Sequence, residues 1–122
     1  MMIPFLISKI HRAEVTGQDL NYNGSISIDK SLIEAANLRE YQKVDIYNIS
    51  NGNRFSTYVI TAPKDSGEIL LNGAAAHLVN NGDKIIIASY AYVDEKELNS
   101  IDSAIVLLKD KNRIDKVIHG KI

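Results

Sequence analysis

What most limits the fold is an alternation of apolar and polar residues at a period of two, punctuated by Asn-Gly turns. Ile26 and Ile28 alternate with Ser25 and Ser27 directly after Asn23-Gly24. Lys43 to Ile49 alternates again, and Ser50-Asn51-Gly52-Asn53 returns the chain as a second extended run from Arg54 to Thr61. A third run, Lys84 to Tyr92 with Ile85, Ile86 and Ile87 at its centre, follows Asn80-Asn81-Gly82-Asp83. Successive side chains of a strand point to opposite faces, and Asn-Gly tolerates the left-handed backbone that tight hairpins need, so each run reads as a strand and each dipeptide as a turn. Periodicity of this kind predicts a small, mostly β barrel.

The connections are read from local chemistry. Ser31-Leu32-Ile33-Glu34 has the spacing of a capping box, which predicts a short helix over Ser31 to Ala36 that stops at Asn37. Thr16 to Asp19 and Ala62 to Gly67 read as loops, and Glu68 to Leu71 as a short strand. Helix, turn and strand occur in that order twice, in Ser31 to Ile49 and in Ala74 to Tyr90, with Lys43-Val44-Asp45-Ile46 echoing Lys84-Ile85-Ile86-Ile87. Beyond Val93, Asp94 to Leu98 reads as a helical turn, and Ala104 to Leu108 and Ile114 to Ile118 as strands joined through Asp110-Lys111-Asn112. This tail is expected to pack on the barrel or on a neighbouring subunit.

A chain of 122 residues fits one domain, 1–122, with room for a hydrophobic core. It has no cysteine, which removes disulfides, thiolate metal sites and cysteine nucleophiles. The 14 Lys and Arg against 15 Asp and Glu leave a net charge of −1, so no overall positive field is present to hold a nucleic-acid backbone. The apolar run Met1 to Ile7 contains Pro4 and gives way to Ser8 and Lys9, too short to span a bilayer. A cytoplasmic protein with no membrane partner is expected.

Several positions carry two readings. Ile7, Lys9, His11 and Ala13 fall on one side of an extended segment, so Lys9 and His11 mark either the solvent face of a strand or one wall of a site. Arg54, Ser56 and Tyr58 share one face of their strand and Phe55, Thr57 and Val59 the other; Arg54 and Tyr58 are either a surface cation and a packing aromatic or a working pair. Asn72-Gly73-Ala74-Ala75-Ala76 puts small residues where a helix begins, a place for close packing or for backbone N–H groups to meet a carboxylate. His77 reads as hydrogen-bonded scaffold. Asn23-Gly24-Ser25 by itself is ordinary turn chemistry.

Taken together, Lys9-Ile10-His11-Arg12, Asn21-Tyr22-Asn23-Gly24-Ser25, Asn51-Gly52-Asn53-Arg54-Phe55-Ser56-Thr57-Tyr58 and Leu71-Asn72-Gly73-Ala74-Ala75-Ala76-His77 resemble the pyruvoyl-dependent aspartate 1-decarboxylases. The resemblance runs from about Ser8 to Tyr90 and rests on the order and spacing of four separate motifs. It implies a mostly β fold, a six-stranded double-psi β-barrel with short helices, here followed by a C-terminal extension. It also implies that the chain cleaves itself between Gly24 and Ser25, into a β chain 1–24 and an α chain 25–122. Ser25 would attack the preceding carbonyl, and elimination from the resulting ester would leave a covalent pyruvoyl group. Glycine at position 24 suits such an attack because it has no Cβ to obstruct it.

The implied reaction converts L-aspartate to β-alanine and CO2 through an imine with that group, in pantothenate and coenzyme A biosynthesis, with no metal. The resemblance assigns Arg54 to the substrate carboxylate that stays, Tyr58 to proton transfer and Thr57 to self-cleavage. Arginine's planar fork suits a bidentate carboxylate grip, and phenols, with an ordinary pKa of about 10, keep their proton at neutral pH. Lys9, His11, Asn72, Gly73, Ala74 and Ala75, again with Thr57, complete the substrate site, and Tyr22 helps to position the bond that breaks. A homotetramer with sites between subunits is implied, and participation of an accessory maturation protein is left open. Two rivals stand beside this reading. One is a silent barrel used for binding, such as a swapped-hairpin transcription regulator, which would need a concentrated basic strip; the other is a decarboxylase of a different amino acid.

Overall fold

In this computed structural model the described residues are 1–120; the last two of the expected unit, Lys121 and Ile122, lie outside the described residues. Nine strands are described: β1 (Met2–Glu14), β2 (Gly17–Asp19), β3 (Ser25–Asp29), β4 (Lys43–Asn48), β5 (Arg54–Ala62), β6 (Ile69–Asn72), β7 (Lys84–Asp94), β8 (Ala104–Lys109) and β9 (Arg113–His119). One α-helix, α1 (Lys30–Ala35), and short 3-10 helices at Gly73–Leu78, Glu95–Ser100 and Asp110–Asn112 join them. The mostly β fold with short helices is as expected. The hydrogen-bonded order is β2-β6-β3-β5-β4-β7-β1-β8-β9.

The expected hairpin is present. β4 and β5 pair antiparallel from Lys43 opposite Tyr58 to Tyr47 opposite Arg54, around the turn of Ser50 to Asn53. β3 lies parallel to β5 and antiparallel to β6, so Ile26, Ile28, Val59 and Ile69 meet Ile46 and Ile85 in one core in which each is fully buried. Burial of each such side chain stabilises the fold by roughly 1.5–3 kcal/mol. α1 lays Leu32 and Ile33 on that core.

Three local expectations are corrected. The helix cap is Asp29 rather than Ser31: its carboxylate accepts from the backbone N–H of Ser31 at 2.8 Å, while the Ser31 hydroxyl turns to Asp65. Gly17 to Asp19 is a strand and not a loop, parallel to β6. Its polar sequence hides the long-range bonds that fix it, in which Gln18 Nε2 donates to the carbonyls of Ala76 and Val79 at 2.8 and 2.5 Å. Ala13 leaves the face of Lys9 and His11. Between Ile10 and Ala13 the register slips by one residue at Arg12, whose φ is 65°, and the bulge turns Ala13 into the core.

The tail packs on its own sheet. β8 runs parallel to β1 from Ser8 opposite Ala104 to His11 opposite Leu107, and β9 closes that edge antiparallel to β8. Buried Asn112 ties the junction: its amide donates to the carbonyls of Glu14 and Gly67, and its Oδ1 accepts from the Glu14 N–H.

Candidate active site

All five residues of β3 are buried, including Ser25 and Ser27, which alternate with Ile26 and Ile28. A buried hydroxyl without a partner is costly, and one residue answers both. Asn72 ends β6 opposite Ser25, and its Nδ2 donates to Ser25 Oγ at 2.8 Å and to Ser27 Oγ at 3.1 Å. The Ser25 hydroxyl in turn donates to the Asn23 carbonyl at 3.4 Å. Asn72 is 1% exposed, and its Oδ1 has no partner among the described residues. Ser25 is fully buried whereas Gly24 is exposed, so the peptide bond between them crosses from surface to interior.

Gly73 follows Asn72 with φ +63°, a conformation that favours glycine. A Cβ there would stand 2.8 Å from both Cα and N of Gly24 and 2.9 Å from the Tyr22 carbonyl oxygen. The backbone of the 3-10 helix is thus pressed against the segment that precedes Ser25.

Beside this contact lies a recess of about 330 Å³ lined by Gly24, Thr57, Tyr58, Ala74, Ala75, Phe55, Ser56 and Leu78. The parallel register sets Ile26 opposite Val59, so one step back brings Ser25 level with Tyr58. The structure therefore gathers Gly24, Ser25, Thr57, Tyr58, Asn72, Gly73, Ala74 and Ala75 around one point. Tyr22 is half exposed, and its carbonyl oxygen lies against Gly73. His77, expected as bonded scaffold, is exposed and lines a different recess with Gln18 and Asn80.

Arg54, Lys9 and His11 do not line the Gly24 recess. Arg54 occupies an adjoining one of about 260 Å³ with Asp45 and Tyr47, sharing the walls Phe55 and Ser56. Its guanidinium carbon sits 4.2 Å from the centroid of the Tyr47 ring. Lys9 and His11 are half-buried on β1, separated from β3 in the strand order by β5, β4 and β7. Desolvation, followed by the charges of Lys9 and Arg12, lowers the His11 pKa from its usual value, and its Nδ1 is buried without a partner among the described residues. These effects favour the neutral imidazole of His11.

The sequence reading missed Ser27, Phe55 and Tyr47. Ser27 stands two residues after Ser25, the spacing that puts both hydroxyls on one face, and Tyr47 faces Arg54 by counting back across the hairpin turn. Phe55 carried no signal, since an aromatic beside a strand start is ordinary packing.

The model of the aspartate decarboxylase family matches residues 1–115. The chain belongs to that family. It is 53% identical over 120 residues to the aspartate 1-decarboxylase of Sulfurimonas denitrificans, an alignment that covers 98% of this chain and 99% of the other. Identity reaches 60% over 112 residues with the aspartate 1-decarboxylase of a Hydrogenobaculum species, covering 92% of this chain and 88% of that one. With the aspartate 1-decarboxylase of Clostridium botulinum it is 52%, covering 100% and 99%. Among the described residues no helix is long and apolar enough to cross a membrane.

Proposed function

We propose that this chain is a cytoplasmic aspartate 1-decarboxylase that forms β-alanine for pantothenate and coenzyme A synthesis, using a pyruvoyl group made from its own Ser25. The observation that carries the reading is the Asn72 amide directed at the hydroxyl of a fully buried Ser25, immediately after an exposed glycine.

Maturation begins at Ser25. Its Oγ attacks the Gly24 carbonyl carbon, the C–N bond breaks, and the acyl group moves from nitrogen to oxygen as an ester. Loss of the Ser25 α proton with departure of the Gly24 carboxylate leaves dehydroalanine, and water then replaces its nitrogen, which leaves as ammonia. Thr57, in the recess beside Gly24, is suited to hold the Gly24 carbonyl oxygen during the attack. A carbonyl-bearing group at residue 25 fits the donor already there, since Asn72 Nδ2 needs an oxygen acceptor at that position.

When formed, the pyruvoyl group supplies a carbonyl that captures the substrate amine and an electron sink for the bond to CO2, as other carbonyl cofactors do. The chain's own residues do the rest. Arg54 grips the carboxylate that stays; among the described residues no carboxylate lies within 4.0 Å of it, so its fork is available to substrate. Tyr58 delivers the proton to the former α carbon of aspartate. Asn72 orients the oxygen at residue 25, and Ala74 and Ala75 leave room against Gly24. Lys9, His11 and Arg54 reach this recess from a neighbouring copy in a homotetramer, a reading supported by their absence from its lining within one chain.

The test is product formation from a panel of amino acids. L-aspartate is expected to yield β-alanine and CO2, and Ser25→Ala to yield neither. Turnover of another amino acid in preference to aspartate would replace the substrate, and activity in Ser25→Ala would remove the mechanism.

A further inference from the structure

The grip on substrate extends one residue beyond Arg54. Tyr47 and Arg54 are cross-strand partners, and the guanidinium carbon stands 4.2 Å from the ring centroid, within cation–π range. Tyr47 OH lies 2.9 Å from Tyr90 OH of β7. Asp45, the carboxylate in the same recess, accepts from the Ser56 hydroxyl at 2.7 Å, and among the described residues Arg54 makes no ion pair and rests on a ring face. Resting on the reading that Arg54 binds the retained carboxylate, we infer that Tyr90 is a positioning residue: its hydroxyl fixes the Tyr47 ring, and that ring holds Arg54 for the dicarboxylate substrate.

A ring so fixed restrains a long, exposed arginine side chain that would otherwise lose rotamer freedom when substrate binds. Burial, followed by the Tyr90 hydroxyl beside it, pushes Tyr47 up to about 12, so the Tyr47 hydroxyl keeps its proton throughout the neutral range. Tyr90 does not touch the Gly24 recess. Its effect is therefore expected in substrate affinity, with little in the chemical step.

The experiment uses the full matured chain with Tyr90→Phe, Tyr47→Phe and the double variant, each of which keeps its aromatic ring. KM and kcat are measured for L-aspartate, and Kd for succinate by calorimetry. Each single variant should raise KM and Kd about threefold to tenfold, the range of one hydrogen bond, and should move kcat far less. The double variant should be no weaker than either single, because both remove the same contact. KM does not depend on the fraction of chains matured, so incomplete processing cannot imitate the result. Effects that add in the double variant overturn the inference. So does an unchanged KM in Tyr90→Phe alongside a rise of about tenfold or more in Arg54→Gln. If Arg54→Gln itself leaves KM and Kd unmoved, the assigned role of Arg54 has failed and this inference falls with it.

Discussion

Asn72 and Ser25 face each other across the β3–β6 ladder, and the amide of the first donates to the hydroxyl of the second at 2.8 Å. The bond occupies a lone pair of Ser25 Oγ and turns its proton toward the Asn23 carbonyl. Because Ser25 is fully buried, no water competes for either role. Rotamer and proton direction of the residue that would attack are thus both set by one side chain.

Asn72→Ala should slow self-cleavage by about tenfold, the worth of one well-placed hydrogen bond. The readout is the half-time for fragments to appear by denaturing mass spectrometry. Stability should fall by about 1–3 kcal/mol, because two buried hydroxyls lose a partner. Cleavage as fast as in the parent chain would remove Asn72 from maturation.

Gly73→Ala should block maturation while Gly24→Ala is milder. The added Cβ at position 73 meets the Gly24 backbone at 2.8 Å from a left-handed φ, whereas a Cβ at Gly24 meets nothing within 4 Å. The strain should lower Tm by about 5 °C or more, since 1 kcal/mol is worth about 4 °C in a chain of this size. An uncut chain with such a Tm loss is the expected result, and complete processing would contradict the close approach.

The pH dependence of stability has a defined sign at His11. Desolvation and the charges of Lys9 and Arg12 depress its folded pKa below the unfolded value of about 6.5. The unfolded chain then binds more protons in that window, so the stability carried by neutral His11 is present above pH 6.5 and is lost as pH falls toward the folded pKa. Denaturant midpoints measured from pH 7.5 to 5.0 should drop more steeply for the parent than for His11→Asn. Parallel curves would contradict the assignment.

Asp29 caps α1 and also gathers the loop that follows β5. Its carboxylate accepts from the N–H groups of Ser31 at 2.8 Å and of Asp65 and Gly67 at 2.9 Å. Asp29→Ala should cost about 2–4 kcal/mol, the sum of a lost cap and two stranded donors, measured by urea unfolding. A change of only a few tenths would mean that the loop finds other acceptors.

Alternation made β4, β5 and β7 legible, because a period of two survives in the sequence where one face meets the core, and β3 was legible by the same period although both its faces are buried. β2 escaped because this three-residue strand, with no apolar side chain, is held through Gln18 to carbonyls about sixty positions away. Ala13 was misplaced by a bulge at Arg12, and no residue type there signals the positive φ. The members of the candidate site were identifiable through the family resemblance, since Thr57 and Ala74 have no distinguishing local pattern. Spacing puts Ser27 on the same face as Ser25, but that both share the Asn72 amide depends on the burial of both faces of β3, which alternation does not show. The Tyr90–Tyr47 contact joins β7 to β4, and no local signal pairs those two strands.

The most direct measurement is the intact mass of the purified protein under denaturing conditions, taken on a preparation that turns over aspartate. Two fragments are expected, one ending at Gly24 and one whose residue 25 is blocked and carries a ketone reducible by borohydride. A single uncut chain with full activity and no reducible carbonyl would contradict the account.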